Sequence, residues 1–308
     1  MRPLLIAATL ALAVRCACID IGSNTTRLLV ADVGAAAGAG ESPLAPVAER
    51  RAFTRLGRTC PAGGAVPEAM RAALAEVVAE QAREARALGA TALRVVATAA
   101  LRRCEDGLAT CHALADAAGA PVELLSEHDE ARLAFAGATG ALEGGDEPLL
   151  VVDVGGGSAQ LVVGACARGA TWSVSLPLGS GDLVAGFLPS DPPRAAELGR
   201  LRAEVEATLA GVALPPVARA LAVGGSATSL RRLAGPRLEP AALERALAAV
   251  CAAPSGRVAE RLPIAAERAR LLPAGIVVLA AVAERVGPLE IARGGLREGV
   301  LRELAASA

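Results

Sequence analysis

Two carboxylates, each closing an apolar run and each followed by small residues, stand about 130 positions apart: Asp20-Ile21-Gly22-Ser23-Asn24-Thr25 and Asp153-Val154-Gly155-Gly156-Gly157-Ser158. Small residues leave backbone N–H groups free to turn toward an anion, and the hydroxyls beside them add donors. A strand-end carboxylate next to such a turn suits a divalent cation that also takes phosphate oxygens. Asp20 and Asp153 are therefore read as ligands for Mg²⁺, with Mn²⁺ as its substitute. Gly22, Ser23, Asn24, Gly155, Gly156, Gly157 and Ser158 are read as phosphate donors. Three consecutive glycines lose much backbone entropy on folding, which is intelligible where a ligand must come close.

Other candidates are weaker taken singly. Glu130 ends the acidic run Glu127-His128-Asp129-Glu130, for which a solvated helix start is the commoner role. Arg102 and Arg103 follow Thr98-Ala99-Ala100 at the carboxyl end of an expected strand, where ligands of α/β folds gather. Arg27 lies just past Thr25-Thr26 and can reach the same cleft. Gly224-Gly225-Ser226 has the composition of a phosphate loop, a weak signal alone. His112 and His128 are read as surface residues, and no Ser-His-Asp or Cys-His arrangement emerges.

The elements that must position these residues alternate. The apolar runs Ala17 to Ile19 and Leu149 to Val152 predict buried strands, and Arg27 to Val33 and Ala159 to Val163 predict the return arms of two hairpins. A Gly-, Ala- and Pro-rich loop over Gly34 to Pro46 leads to a third strand and turn over Arg51 to Gly57. Helical spacing runs from Pro67 to Leu88 and from Leu108 to Ala118, with strands at Leu93 to Ala97 and Val122 to Leu125. Ser126 is the expected N-cap of a helix to about Leu142, with acidic residues in a first turn that the helix dipole favours. Strands follow at Trp172 to Leu176 and Ala220 to Val223, with a helix over Pro193 to Leu209 and mostly helix to Leu304. The pattern is an α/β fold of two similar halves, 14–131 and 132–308, facing each other across a phosphate cleft.

Composition narrows the function. A chain of 308 residues can hold two ordinary domains, and with 53% apolar but 1% aromatic residues its cores must be built from Ala, Val and Leu. Net charge is −1, which argues against a general nucleic-acid or membrane-surface binder. All 31 basic residues are Arg, whose forked guanidinium suits phosphate oxygens. Seven Cys without a CxxC pair, and two His, make no zinc pattern and fit a reduced, cytoplasmic protein. Met1 to Val14 has signal-like character; an over-extended start, with translation from Val14, is preferred to export.

Taken in order, several segments resemble the exopolyphosphatase and guanosine pentaphosphate phosphohydrolase (Ppx/GppA) family. They are Ile19 to Asn24, Thr54-Arg55-Leu56-Gly57, Ala97 to Arg102, Leu125-Ser126 through Glu130-Ala131-Arg132, Val152 to Ser158, Ser175 to Gly179, Val223 to Thr228 and Gly295-Leu296-Arg297-Glu298-Gly299. The resemblance implies two actin-like (ribonuclease H-like, sugar kinase and Hsp70) domains in a short form without an HD-type extension. It places Glu130 where the family's glutamate deprotonates the attacking water, and Asp153 where an aspartate binds Mg²⁺. Gly22 to Asn24 and Gly155 to Ser158 would hold the terminal and penultimate phosphates, while Arg102, with Arg27, offsets charge on the transferring phosphoryl group.

The implied reaction is Mg²⁺-dependent release of terminal orthophosphate from inorganic polyphosphate. Hydrolysis of pppGpp at its 5′-phosphate uses the same residues and stands as the alternative, followed by a catalytically weak sensor and a phosphotransferase of the same fold. A homodimer is left open. Three departures stand out: Glu127 replaces the usual Gly, Asp129 the first Glu of an acidic pair, and Gln160 a Glu after the glycine turn.

Overall fold

The computed structural model describes residues 13–34, 44–60, 63–142 and 144–307; the expected leader, but for its last residue, and most of the Gly34 to Pro46 loop lie outside the described residues. The first half runs β1 (Val14–Ile21), β2 (Thr26–Val33), β3 (Leu44–Ala52), α1 (Leu56–Thr59), α2 (Glu68–Ala87), β4 (Ala92–Ala97), α3 (Ala99–Arg102), α4 (Gly107–Ala118), β5 (Val122–Leu124) and α5 (Glu127–Thr139). The second runs β6 (Leu149–Val154), β7 (Ala159–Ala165), β8 (Gly169–Leu176), α6 (Ser180–Phe187), α7 (Ala195–Ala210), β9 (Arg219–Val223), α8 (Gly224–Ala234) and β10 (Arg237–Leu238). It continues through α9 (Pro240–Cys251), α10 (Ser255–Arg261), α11 (Ala266–Val286), β11 (Leu289–Ile291) and α12 (Leu296–Ala306).

The two sheets repeat one plan. Their orders are β3-β2-β1-β4-β5 and β8-β7-β6-β9-β11-β10. In each, an antiparallel three-strand meander is followed by a strand parallel to the first. Asp20 stands opposite Arg27 and Val96, and Asp153 opposite Gln160 and Val223. Even the turns match: Gly22 N–H donates to Thr25 C=O at 3.0 Å and Gly155 N–H to Ser158 C=O at 2.9 Å.

Apolar spacing puts the cores where expected. One face of the first sheet is covered by α2 and α4, through Leu74, Val78, Ala82 and Leu114 packed on Ile19, Leu28 and Val95. In the second half, α11 is buried along most of its length beneath β6 and β9. The helix α5 is shared: Leu133 packs on the first sheet with Cys16, Cys18 and Leu29, while Ala131, Phe135 and Ala138 pack on Leu149, Val151 and Leu221 of the second. From Ala131 onward its residues, Arg132 apart, are small or apolar, which lets this part of the helix sit between two layers. Ser126 caps the helix, accepting from Asp129 N–H at 3.0 Å.

The chain ends by returning to the first half. Val300 and Leu301 of α12 join Cys16, Leu29, Val96 and Leu133 in one cluster. This return requires glycine: a Cβ at Gly137 would overlap the Gly295 carbonyl, and one at Gly299 the Leu133 carbonyl.

Three expectations are corrected. The strand placed over Arg51 to Gly57 is earlier, Leu44–Ala52, and residues 56–59 form a helical turn. The chain turns there because Arg55 N–H donates to Asn24 C=O at 3.1 Å and Gly57 N–H to Ser23 C=O at 2.8 Å, bracing the Gly22 to Thr25 turn from behind. Second, β10 and β11 interrupt the expected helical C-terminal part, β11 being only three residues long. Third, Cys60 and Cys104 are paired as a disulfide, with Cys16, Cys18, Cys111, Cys166 and Cys251 free. Their segments lie side by side, held by Gly63 N–H to Arg103 C=O at 2.8 Å and Glu105 N–H to Gly64 C=O at 3.1 Å. Among the described residues no helix is long and apolar enough to cross a membrane.

Gly299→Ala is expected to destabilise by about 1–3 kcal/mol, because only backbone could yield to the added methyl. Gly199→Ala, in the exposed middle of α7 with open space around it, is the control and should be neutral or slightly stabilising. Thermal unfolding of both variants checks this.

Candidate active site

The cleft between the sheets is walled by both hairpin turns, by Glu130, and by the starts of α8 and α12. Asp20, Gly22, Ser23, Asn24 and Arg27 line it from the first half, and Asp153, Gly155, Gly156, Gly157, Ser158, Gly224 and Gly225 from the second. The turns abut: a Cβ at Gly156 would stand 3.1 Å from Ser23 Cβ, and one at Gly157 only 2.5 Å from Ser23 Oγ. Side chains larger than hydrogen there would push the halves apart.

The second turn is supported from below. The chain at Gly179 passes so close to Gly157 and Ser158 that a Cβ would collide with backbone. Beyond it, Ser180 N–H donates to Gly155 C=O at 2.9 Å and Gly181 N–H to Gly156 C=O at 2.8 Å. With these carbonyls fixed, planar peptide units leave the following N–H groups directed the other way.

Glu130 and Arg102 form a buried pair. Arg102 Nη1 donates to Glu130 Oε2 at 2.6 Å and to Leu125 C=O at 2.8 Å, with side-chain exposures of 16% and 11%. Arg102 is thus placed behind Glu130, not on the cleft wall. Glu130 itself lines the cavity, and its Oε1 carries no hydrogen bond among the described residues.

Asp20 and Asp153 keep an opening to the cleft but are otherwise enclosed. Burial, reinforced by the charges of Glu130 and Asp20, pushes the Asp153 carboxyl up to about 7. Burial pushes Asp20 up to about 6, partly offset by Arg297 and Arg27. Asp20 Oδ1 is buried without a hydrogen bond among the described residues, and a Cβ at Gly224 would collide with the Asp153 carboxylate. Among the described residues, no three acidic, His or Cys side chains converge as a ready metal cage. Two carboxylates with most positions left to water and phosphate oxygens is the donor set that fits Mg²⁺.

Several arginines complete the wall. Burial pulls Arg27 down to about 10, with Arg297 and Arg51 adding to the effect, and its Nε is buried without a hydrogen bond among the described residues. Its carboxylate neighbour, Glu49, is 3.7 Å away. Arg268 of α11 was not singled out in the sequence. It is 8% exposed, burial pulls it down to about 10, and it meets no acceptor among the described residues. Its guanidinium occupies the space a Cβ at Gly225 would need. Arg297 and Glu298 also line the cleft, Glu298 Oε2 accepting from Gly295 N–H at 2.8 Å. Their only sequence signal was the Gly295 to Gly299 segment; Arg268 lies in an apolar helix with no such signal. Ser226 is not brought to the cleft: its side chain is fully buried against Gly275, and Thr228 lines the wall instead.

The profile of the Ppx/GppA phosphatase family matches residues 29–308. Exopolyphosphatase 2 of Mycobacterium tuberculosis is 34% identical over 230 residues, 71% of this chain and 70% of that protein. Exopolyphosphatase 1 of Mycobacterium bovis is 30% identical over 305 residues, 93% and 87% of the two chains. A solved Ppx/GppA family member from Aquifex aeolicus superimposes with a TM-score of 0.78 at 26% identity, covering 96% of this chain and 98% of its own. The chain belongs to the Ppx/GppA phosphatase family and shares the two-sheet fold of the Aquifex aeolicus member. Its chemistry is that of a phosphoanhydride hydrolase.

In the metal-free protein both aspartates bind protons more tightly folded than unfolded, where the carboxyl titrates near ~3.9. Stability therefore rises as pH is lowered from 8 toward 5 and falls as the carboxyls ionise through about 6 and about 7. Asp153→Asn should raise the unfolding midpoint at pH 8 and flatten this slope. Thermal scans in chelator across that range read both effects.

Proposed function

We propose that this protein is an exopolyphosphatase, releasing terminal orthophosphate from inorganic polyphosphate. The observation that carries the proposal is the set of unpartnered polar groups lining one cleft: Asp20 Oδ1, Asn24 Nδ2 and Arg27 Nε are buried without a hydrogen bond among the described residues, and the buried Arg268 guanidinium on the same wall meets no acceptor among them. Such atoms are rare unless a ligand or water answers them. The mixture of N–H donors, guanidinium groups and two carboxylates matches a phosphate chain accompanied by a cation. The names of the mycobacterial relatives support the same substrate.

In this reading the terminal phosphoryl group lies between the Gly22 to Asn24 and Gly155 to Ser158 turns, and backbone N–H groups bind its oxygens. Glu130, held through Oε2 by Arg102, keeps Oε1 toward the cavity to take a proton from the attacking water. Arg27, with Arg268 and Arg297 further along the wall, offsets charge on the phosphate chain. Asp20 and Asp153 would hold Mg²⁺ or Mn²⁺, which when bound neutralises phosphate charge. The leaving phosphate chain recovers a proton from solvent at the open side of the cleft.

Phosphate release with Mg²⁺ from long-chain polyphosphate, compared with pppGpp, tests the substrate. Faster turnover of polyphosphate is expected; preference for pppGpp would replace the reading with the nucleotide phosphohydrolase, and binding without turnover by a sensor. Glu130→Gln is expected to lower kcat by about 10²–10⁴-fold with KM changed far less. An undiminished kcat would remove Glu130 from the role of base.

A further inference from the structure

Arg103 follows Arg102 directly but serves a different part of the molecule. It caps the C-terminal end of α3 in the first half, and its Nη1 donates to the carboxylate of Asp182 in the second and lies 3.5 Å from Gly157 C=O. Its Nη2 stands 2.8 Å from where a Cβ at Gly157 would be. Asp182 lies in the first turn of α6, the helix whose opening N–H groups hold the carbonyls of the glycine turn, its own N–H donating to Gly156 C=O at 3.2 Å. Gly57, which braces the Ser23 turn from behind, lies within 4 Å of Arg103 by the same Cβ measure.

We infer that Arg103 is a positioning residue that holds the Gly155 to Gly157 turn in register with the Ser23 turn of the other half. This role presupposes the function proposed above for the cleft. Each peptide unit is rigid, so the orientation of a carbonyl fixes the N–H of the next residue. The carbonyls of Gly155 and Gly156 are held by α6, and that of Gly157 faces Arg103. The N–H groups of Gly156, Gly157 and Ser158 are thereby aimed from a frame that Arg103 ties to the first half. A short segment then sets both parts of the reaction: Arg102 holds the base, and Arg103 holds the donors.

An ordinary ion pair of this kind predicts something else. Each side chain is 34% exposed, and pairs so exposed contribute little to stability. Breaking one would leave turnover as it was. A positioning residue predicts loss of turnover without loss of fold, because small misplacement of preorganised donors is felt mainly in the transition state.

The test compares wild type with Arg103→Ala, Asp182→Asn and the charge reversal Arg103→Glu/Asp182→Arg. Each single variant should lower kcat on long-chain polyphosphate by about tenfold or more, with the unfolding midpoint nearly unchanged, and the reversal should recover a substantial part of the loss. Hydrogen exchange of the Gly155 to Ser158 amides, read without substrate, should quicken several-fold in Arg103→Ala while α11 is unaffected. Turnover within twofold of wild type in both single variants, or unchanged exchange in the turn, would overturn the assignment. If Arg103→Ala fails to fold, Arg103→Lys takes its place, and unchanged exchange there counts equally against it. Because exchange needs no turnover, a wild-type protein inactive on polyphosphate would sink the proposed substrate and still leave the role of Arg103 decided.

Discussion

Ending two strands on carboxylates that face one cleft is unfavourable for the folded protein at neutral pH, since burial and neighbouring carboxylates such as Glu130 disfavour both charges. The surrounding structure is arranged around that constraint. Arginines stand near the aspartates but are not spent on them: Arg27 is nearest to Glu49, and Arg268 has no acceptor among the described residues. The aspartates and these guanidinium groups thus line one cleft without pairing to each other, and a polyanion with its cation can satisfy both sets. A tighter internal pairing would stabilise the fold and close the site.

The same constraint explains where bulk is forbidden. Two hairpin turns can approach only if glycine occupies the contact, as at Gly156 and Gly157, and the chain can pass beneath only at Gly179. The helix α5 brings Glu130 to the junction because it packs on both sheets at once, so this carboxylate is registered to each half independently of the turns.

Much of this was legible in the sequence, and the reason is local. The two Asp-containing turns, the hairpins and the Ser126 cap are dictated by residues within a few positions of one another, so composition and spacing suffice. The duplicated strand order follows from that repeat. What could not be read depends on distant chain segments. Arg268 is polar by type but sits in a helix whose apolar pattern gives no hint that one guanidinium turns toward Gly225. Ser226 looked like a donor, yet its helix rotates the side chain against Gly275. The shift of β3 to Leu44–Ala52 reflects a demand placed by the Ser23 turn on Arg55 and Gly57, and propensity does not report such a demand. Arg102 and Arg103 were legible as a pair at a strand end; their divergence, one to Glu130 and one to Asp182, was not.

The last helix has a consequence for how the molecule is made. Since Val300 and Leu301 cover Leu29 and Val96, the face of the first sheet that carries Cys16 and Cys18 stays without its full cover until residues 296–306 have left the ribosome. The first half therefore cannot finish folding as an autonomous N-terminal unit during synthesis, as domains commonly do. Maturation of the cleft is a late event, coupled to emergence of the second half and its closing helix.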